Sequence, residues 1–204
     1  MSTLKATNLS HASAASPNIV LDSAGKVTFG GAVAGAGLDL ITPTSVAGTG
    51  VTLSGGAVSF SGSTSVSVNN CFTATYDNYF VIDTHTNSTT AENQIRLRAA
   101  GTDSSANYNV RLALMQSVYG TATSTTLFRL GDGGSELGVY QTTFTRSFLA
   151  EPTSLYSCGN DGGATSLYAS GGIHTASTSY DGFSLIASTG TITGTLRVYG
   201  LRNS

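Results

Sequence analysis

Charged side chains are scarce in this sequence. They make up 10% of the 204 residues, as 9 basic and 11 acidic side chains, whereas ordinary soluble domains carry roughly 25%. The net charge of −2 leaves no basic surface for nucleic acid or for a membrane, so neither is expected as a partner. Disorder driven by charge is not expected either, because such segments need a high net charge.

Long apolar runs are missing too. No stretch of about 18 apolar residues exists, so no membrane-spanning helix is predicted. The N-terminal sequence MSTLKATNLSHASAASPNIV has no apolar core of a signal peptide, so we expect the chain to fold in a cytoplasm. Cys71 and Cys158 are the only cysteines, and two such distant thiols are expected to be buried and reduced rather than bridged.

Motifs for nucleophilic catalysis and for cofactors are absent as well. The sequence has no G-x-S-x-G elbow, no phosphate-binding loop with its lysine and no complete dinucleotide fingerprint. Neither an enzyme nor a cofactor is therefore predicted. Asp83 and His85 share one face of a predicted strand, but no third ligand is near in sequence, and His11 and His174 are far away. A hydrogen-bonded strand histidine is favoured over a metal site.

Paired carboxylates leave one enzymatic alternative open, the hydrolysis of surface glycans. Most candidates lie in turn sequences, where Asp and Gly serve the backbone conformation. We therefore rank a glycan hydrolase well below a non-enzymatic function. The candidates are Glu92, Asp103, Asp132, Glu136, Glu151, Asp161 and Asp181.

Short segments of alternating apolar and polar residues are the main positive signal. Side chains alternate between the two faces of a strand, so NQIRLRA places Ile95 and Leu97 inward, and NVRLALM does the same with Val110, Leu112 and Leu114. Gly-, Asn-, Asp- and Ser-rich turns separate these segments. About eight to ten such strands predict an all-β protein with an antiparallel β-sandwich, most simply a jelly roll.

Two segments of different composition predict two domains, residues 1–63 and 64–204. The first has only four charged residues, no Tyr and few large side chains, so it buries too little apolar area to fold alone. A flexible linker is one reading. A β-rich stem that is completed by other copies of the chain is the favoured one, because Val, Leu, Ile and Phe recur at regular positions.

The C-terminal sequence GTITGTLRVYGLRNS predicts a final strand with two different faces. Ile192, Leu196 and Val198 suit the core, whereas Arg197 and Tyr199 point the other way. Arginine is favoured at protein interfaces. If the strands that carry outward arginines are neighbours, they form one face that meets another copy of the chain; an ordinary solvated face and a ligand-binding face remain open. The predicted subunit-interface residues are Arg96, Arg98, Arg111, Arg197 and Tyr199.

Tyrosines recur in or beside the predicted loops. Tyr offers a rigid ring with a polar tip, which is useful in recognition, although sandwich proteins also bury Tyr at strand ends. Together with polar turn residues they provide candidates for contact with a receptor. These candidates are Asp132, Tyr140, Asn160, Asp161 and Tyr168.

Three passages resemble structural proteins of tailed bacteriophages, especially fibre-like ones. NLSHASAASPNIVLDSAGKVTFGG resembles the attachment segments that open many phage fibre proteins. FTATYDNYFVIDTHTNSTTAENQIRLRAAGTDSSANYNVRL and YDGFSLIASTGTITGTLRVYGLRNS resemble the two halves of a C-terminal β-sandwich on such fibres. The segment ahead of the sandwich is shorter than a long fibre shaft, which favours a short fibre or a spike.

The resemblance implies a homotrimer in the virion. Its N-terminal segment would dock on other virion proteins of the tail or capsid, and its distal sandwich would contact a host cell-surface glycan or protein. A capsid decoration or head-fibre protein of the same build is the alternative. A bacterial surface adhesin is disfavoured, because no export signal is visible.

Overall fold

The computed structural model describes residues 8–9, 19–21, 23, 27–29, 37–114, 126–161 and 166–201. The chain divides into two compact units, residues 1–37 with Ser204, and residues 38–203. In the first unit, β1 (Asn8–Leu9), β2 (Ile19–Leu21) and β3 (Val27–Phe29) form a small antiparallel sheet. His11 and most of the predicted attachment segment lie outside the described residues.

The second unit contains fifteen strands and, among its described residues, no helix. These strands all pair in antiparallel orientation. They are β4 (Leu38–Ile41), β5 (Ser45–Ala47), β6 (Val51–Ser54), β7 (Ala57–Ser63), β8 (Ser65–Asn69), β9 (Asn78–Asn87), β10 (Ala91–Ala99), β11 (Thr102–Asp103), β12 (Tyr108–Leu114), β13 (Phe128–Gly133), β14 (Gly138–Thr145), β15 (Thr153–Asn160), β16 (Leu167–His174), β17 (Gly182–Ala187) and β18 (Ile192–Leu201).

These strands form two sheets. The larger sheet has nine strands in the order β12-β16-β15-β14-β9-β18-β7-β6, and β4 pairs with β18 beyond the end of β7. The smaller sheet has six strands in the order β11-β10-β17-β8-β5, with β13 also paired to β10. We refer to them below as the larger sheet and the smaller sheet.

A single hydrophobic core lies between the two sheets. Phe144 from the larger sheet and Phe183 from the smaller sheet meet at a ring-centroid distance of 5.4 Å, and Phe72 lies 5.2 Å from Phe144 and 5.9 Å from Phe183. Aromatic rings at such distances stabilise the packing beyond their buried area. The predicted all-β, antiparallel sandwich is confirmed.

The alternation of side chains predicts the strands and their inward faces well. The described residues after residue 63 form eleven strands, β8 to β18, against the eight to ten that the sequence predicts, and one of the eleven, β11, has only two residues. Ile95, Leu97, Val110 and Leu112 are buried as expected. Ile192, Leu196 and Val198 are buried too, whereas the side chain of Leu114 lies outside the described residues.

The compact sandwich begins at Leu38, whereas the sequence places the division after residue 63. The difference arises because β4, β6 and β7 belong to the larger sheet of the same chain, where β7 and β4 pair with β18. The thin strands of residues 38–63 therefore gain their core from β18 and the strands beside it. Intertwining with other copies remains a prediction.

The sandwich has two distinct ends. At one end, Leu38 pairs with Leu201, and Leu201 pairs with Asn78 at the start of β9. At the other end, Val139 pairs with Asn160 near the start of β14, and β13 ends beside Ala91. Leu38, the first residue of the second unit, thus lies at the end of the sandwich opposite to Asp132, Asn160 and Asp161.

Candidate interaction surface

The outer face of the larger sheet carries an unusual number of apolar side chains. Six large hydrophobic residues are exposed among the described residues, and five of them lie on this face; the sixth, Leu137, immediately precedes β14. Outer faces of antiparallel sheets are usually polar, and exposed apolar patches commonly mark sites of interaction. The five residues, with their exposed fractions, are Leu38 (50%), Leu40 (46%), Tyr156 (57%), Leu167 (54%) and Ile173 (37%).

Strand register arranges the outward side chains in rows across this face. Residues that pair directly on neighbouring strands point to the same side of a sheet. One row runs from β4 to β15 through Leu40, Tyr199, Phe80, Thr143 and Tyr156. The next row runs from β4 to β16 through Leu38, Leu201, Asn78, Thr145, Ser154 and Ile173.

Two parts of the outer face hold its most exposed apolar groups. We name the first the β4 patch; it consists of Leu38 and Leu40 on β4 with Tyr199 and Leu201 on β18. The second lies several strands away, and we name it the β15–β16 surface; it consists of Tyr156, Cys158, Leu167 and Ile173. Both parts are formed by side chains that alternate with neighbours on the core side, such as the partly buried Ile41 beside Leu40 and the buried Leu155 beside Tyr156.

A shallow groove of about 360 Å³ opens on the β15–β16 surface. Its lining combines apolar groups with two side-chain amides and has no charged residue. Tyr156, Cys158 and Leu167 line it beside Gln141 and Asn160. The groove therefore suits an uncharged, largely apolar occupant.

The outer face of the smaller sheet has the opposite character. Arg98 on β10 donates hydrogen bonds to Asn69 (3.0 Å) and Ser184 (2.9 Å) and forms an ion pair with Asp103. Arg129 on β13 lies 3.2 Å from Glu92 and 2.7 Å from Asp132. This face is polar, and the charges of Arg98 and Arg129 are paired with carboxylates of the same sheet.

The predicted interface residues do not share one face, which corrects that part of the prediction. Arg96 and Arg98 lie on the smaller sheet, because β10 belongs to it. Arg111 lies on β12, an edge strand of the larger sheet, whereas Arg197 and Tyr199 lie five strand positions away on β18. Only Arg197 and Tyr199 lie beside the apolar side chains of β4 and β9.

The receptor-contact candidates are placed in two environments. Tyr140 (0% exposed) and Tyr168 (5%) are buried, so Tyr140 belongs to the core and Tyr168 reaches only the bottom of the groove. Their prediction as exposed contact residues is wrong, because Tyr rings beside these turns fill the interior and the Tyr140 hydroxyl donates to the carbonyl of Asp132 at 2.7 Å. Asp132, Asn160 and Asp161 are half-buried at one end of the sandwich.

A buried polar cluster links the two sheets near that end. Its members are Asp83, His85 and Asn87 on β9, Asn93 on β10 and Tyr140 on β14. His85 Nδ1 lies 2.9 Å from Asp83 Oδ2, and the His85 ring stacks on the Tyr140 ring at 5.4 Å. Asn87 donates to Asn93 at 3.0 Å, and Asn93 donates to the Tyr140 hydroxyl at 3.0 Å. The cluster therefore joins the sheets by hydrogen bonds as well as by packing.

The Asp83–His85 pair was the one arrangement in the sequence that offered two metal ligands. Among the residues that the structure describes, no group of three or more His, Cys, Asp or Glu side chains is placed to hold a metal ion. Gly194 on β18 lies against His85, and a Cβ at that position would lie 2.6 Å from the His85 Cβ and 2.1 Å from the Thr84 carbonyl oxygen. A glycine is thus required where β18 passes this histidine.

His85 and His174 are expected to affect stability with opposite dependence on pH. Burial lowers the pKa of His85, but the charge of Asp83, whose Oδ2 lies 2.9 Å from His85 Nδ1, raises it, and the resulting pKa lies above its ordinary value. Protonated His85 therefore stabilises the fold below the unfolded-state pKa of about 6.5, and this contribution is lost as the pH rises through the folded-state pKa. Burial lowers the pKa of His174, so its contribution is lost as the pH falls.

Urea unfolding at about pH 6 and about pH 9 tests this expectation, since these values bracket the ordinary histidine pKa. The difference in free energy of unfolding between the wild type and His85→Gln should be larger at the lower pH. For His174→Gln, the matched control, it should be larger at the higher pH. Equal differences at both pH values would contradict the assignment.

Both cysteines are free, but they differ in exposure. Cys71 is buried in the core, and burial raises the pKa of its thiol. Cys158 is exposed on the β15–β16 surface, so the expectation that both are buried is wrong for Cys158. Its outward position on β15 provides one reactive thiol beside the groove.

Several carboxylates that were considered for glycan hydrolysis form ion pairs with arginine. Arg98 pairs with Asp103, and Arg146 pairs with Glu151. Glu92 and Asp132 share Arg129. These pairs account for four of the seven candidate carboxylates.

In the described part of the chain, no helix is long and apolar enough to cross a membrane.

No protein-family model matches the chain, and no curated protein sequence matches it. Among solved structures, the chain is similar to a functionally unknown protein from Saccharomyces cerevisiae, with 10% identity, a TM-score of 0.23, and coverage of 78% of this chain and 97% of that chain. The SPRY domain of human HERC1 is similar at 8% identity and a TM-score of 0.24, over 82% of this chain and 100% of that one. Peanut lectin is similar at 10% identity and a TM-score of 0.25, over 85% of this chain and 95% of the lectin. Similarities of this strength carry no argument about function.

Proposed function

We propose that this chain is a structural protein of a bacteriophage virion, a short trimeric tail fibre or spike. Its N-terminal segment attaches to other virion proteins, and its β-sandwich contacts a glycan or protein on the host surface. The resemblance of three sequence passages to phage fibre proteins motivates the proposal.

The proposal is supported most directly by the difference between the two ends of the sandwich. A fibre must attach at one end and contact its receptor at the other. The first residue of the sandwich, Leu38, lies at one end, whereas Asp132, Asn160 and Asp161 lie at the opposite end. These three polar residues remain our candidates for host contact.

The oligomeric state of the full chain is the first test. In light scattering we expect a molar mass about three times the 20.7 kDa of one chain, because a fibre of this kind is built from three copies around one axis. A monodisperse single chain at micromolar concentration would contradict the proposal.

The position on the particle is the second test. Gold-labelled antibody against the sandwich should mark the tail of virions that carry this protein. Labelling over the capsid would instead identify a decoration or head-fibre protein. If purified particles take no label, and an immunoblot shows that they lack the chain, a role in the virion is overturned.

A further inference from the structure

The outer face of the larger sheet presents two separate apolar surfaces that have no partner within the described chain. We propose that the β4 patch of one copy packs against the β15–β16 surface of a neighbouring copy, so that each copy uses both surfaces. This inference rests on the proposed function, which requires several copies with their attachment ends on the same side.

Charge favours a second copy of this chain as the occupant. The outward side chains of the β4 patch and of the β15–β16 surface include no charged residue. Asp39, between Leu38 and Leu40 on β4, is on the other face of the strand and accepts a hydrogen bond from the Tyr76 hydroxyl at 2.8 Å. An uncharged apolar surface is best complemented by another uncharged apolar surface, because burying an unpaired charge is costly. The chain itself supplies both members of such a pair.

Strand register brings the two surfaces to the same height when copies are parallel. Leu40 and Tyr156 belong to one row, and Leu38 and Ile173 belong to the next row. Copies arranged around an axis along the strands face each other row by row. Leu38 and Leu40 of one copy therefore meet Ile173 and Tyr156 of the next without a shift along the axis, whereas Leu167 lies two rows beyond Tyr156, in the row of Asn160.

The face is large enough to serve two neighbours. Six neighbouring strands at about 4.8 Å spacing, with up to four outward residues each at about 6.8 Å, give about 800 Å² in each copy. Because each copy divides this face between its two neighbours, one pairing covers about 400 Å² on each partner, about half of a standard interface, and a closed trimer contains three such pairings. The outer face of the smaller sheet is a poor alternative, because Arg98, Arg129 and their carboxylate partners already satisfy one another.

Cross-linking to the native Cys158 tests the pairing. In Leu40→Cys, a bismaleimide with a spacer of about 10 Å should link residue 40 of one copy to Cys158 of the next and give covalent dimers and trimers on a denaturing gel. Within one chain, four strand spacings separate the two positions by about 19 Å, which the spacer does not reach. Cys71 is buried and does not compete.

Matched controls separate proximity from chance contact. Gln94→Cys places a thiol on the outer face of the smaller sheet and should remain unlinked. Leu38→Cys, with a spacer of about 16 Å, repeats the test if Leu40→Cys folds poorly, as judged by circular dichroism, because residue 38 lies two rows, about 14 Å, from the row of Cys158. Leu40→Asp should reduce the molar mass to that of one chain, whereas Gln94→Asp should leave it unchanged.

The outcomes distinguish this pairing from the proposed function. A trimeric mass without links from residue 40 or residue 38 to Cys158 overturns the pairing and leaves the trimeric fibre standing. Linked pairs with a mass of two copies support the pairing and overturn the trimer. A single-chain mass for the wild type overturns both.

Discussion

A chain that ends before Gly194 is expected to lose its cooperative fold. β18 lies between β9 and the strands β7 and β4, and it pairs with all three. Its removal unpairs those strands and exposes the core, since Ile192 loses its neighbours while Leu196 and Val198 are deleted. Each buried aliphatic side chain contributes about 1.5–3 kcal/mol, and a domain of this kind has only about 5–15 kcal/mol in total.

Urea unfolding followed by circular dichroism and tyrosine fluorescence measures this loss. The truncated chain should give no cooperative transition, and it should not form the trimer. Leu196→Ala is the graded control and should lower the free energy of unfolding by about 2–5 kcal/mol while the fold is retained. A second control, truncated after Leu201, keeps β18 whole and should unfold like the full chain. A soluble, cooperatively folded product without β18 would show that its central role is wrong.

The buried Asp83–His85 pair is expected to be the most sensitive polar site. Asp83→Ala leaves His85 without its carboxylate partner in a position that is 1% exposed. Removing one member of a buried pair typically costs about 3–5 kcal/mol, so we expect a loss of this size in the free energy of unfolding.

Two variants on the same strand make the measurement specific. Thr86→Ala changes an outward, half-buried residue of β9 and should cost less than about 1 kcal/mol. Replacing Asp83 and His85 together by leucine should cost less than Asp83→Ala alone, because no polar group is then left without its partner. A double variant less stable than Asp83→Ala would show that the pair contributes chiefly through its shape.

Alternation within a strand is a local property, and the sequence predicts it well. In β10, Ile95 and Leu97 are buried while Arg96 and Arg98 point outward, as the period of two requires. The sheet to which a strand belongs is not local. β10 and β12 follow each other closely in the chain but lie in different sheets, so Arg98 and Arg111 do not share the face that their patterns allow.

Which face of an alternating strand is turned toward the core can also depend on contacts with residues far away in the sequence. Leu38, Asp39, Leu40 and Ile41 alternate, but the pattern alone favours burial of the two leucines. In the structure, Asp39 accepts a hydrogen bond from the Tyr76 hydroxyl at 2.8 Å, and Ile41 packs on the core. The leucines of the β4 patch are therefore exposed for a reason that lies outside their own segment.

Tyr140 illustrates a different limit of the sequence. A tyrosine shortly after the glycine-rich residues 131–134 is compatible with either exposure or burial. Its burial depends on partners from three other strands, namely the His85 ring, the Asn93 amide and the Asp132 carbonyl. Only Asp132 is near Tyr140 in the sequence. The tertiary fold therefore decides whether Tyr140 is buried or exposed.

The position of β18 also constrains the order in which the sheet is completed during synthesis. β4 and β7 are made first, yet their partner β18 is the last described strand. Contacts between such distant segments form slowly, because a long loop must close before they contribute. β4 and β7 therefore emerge from the ribosome with apolar residues exposed. The larger sheet is complete only after the last described strand, β18, has been synthesised.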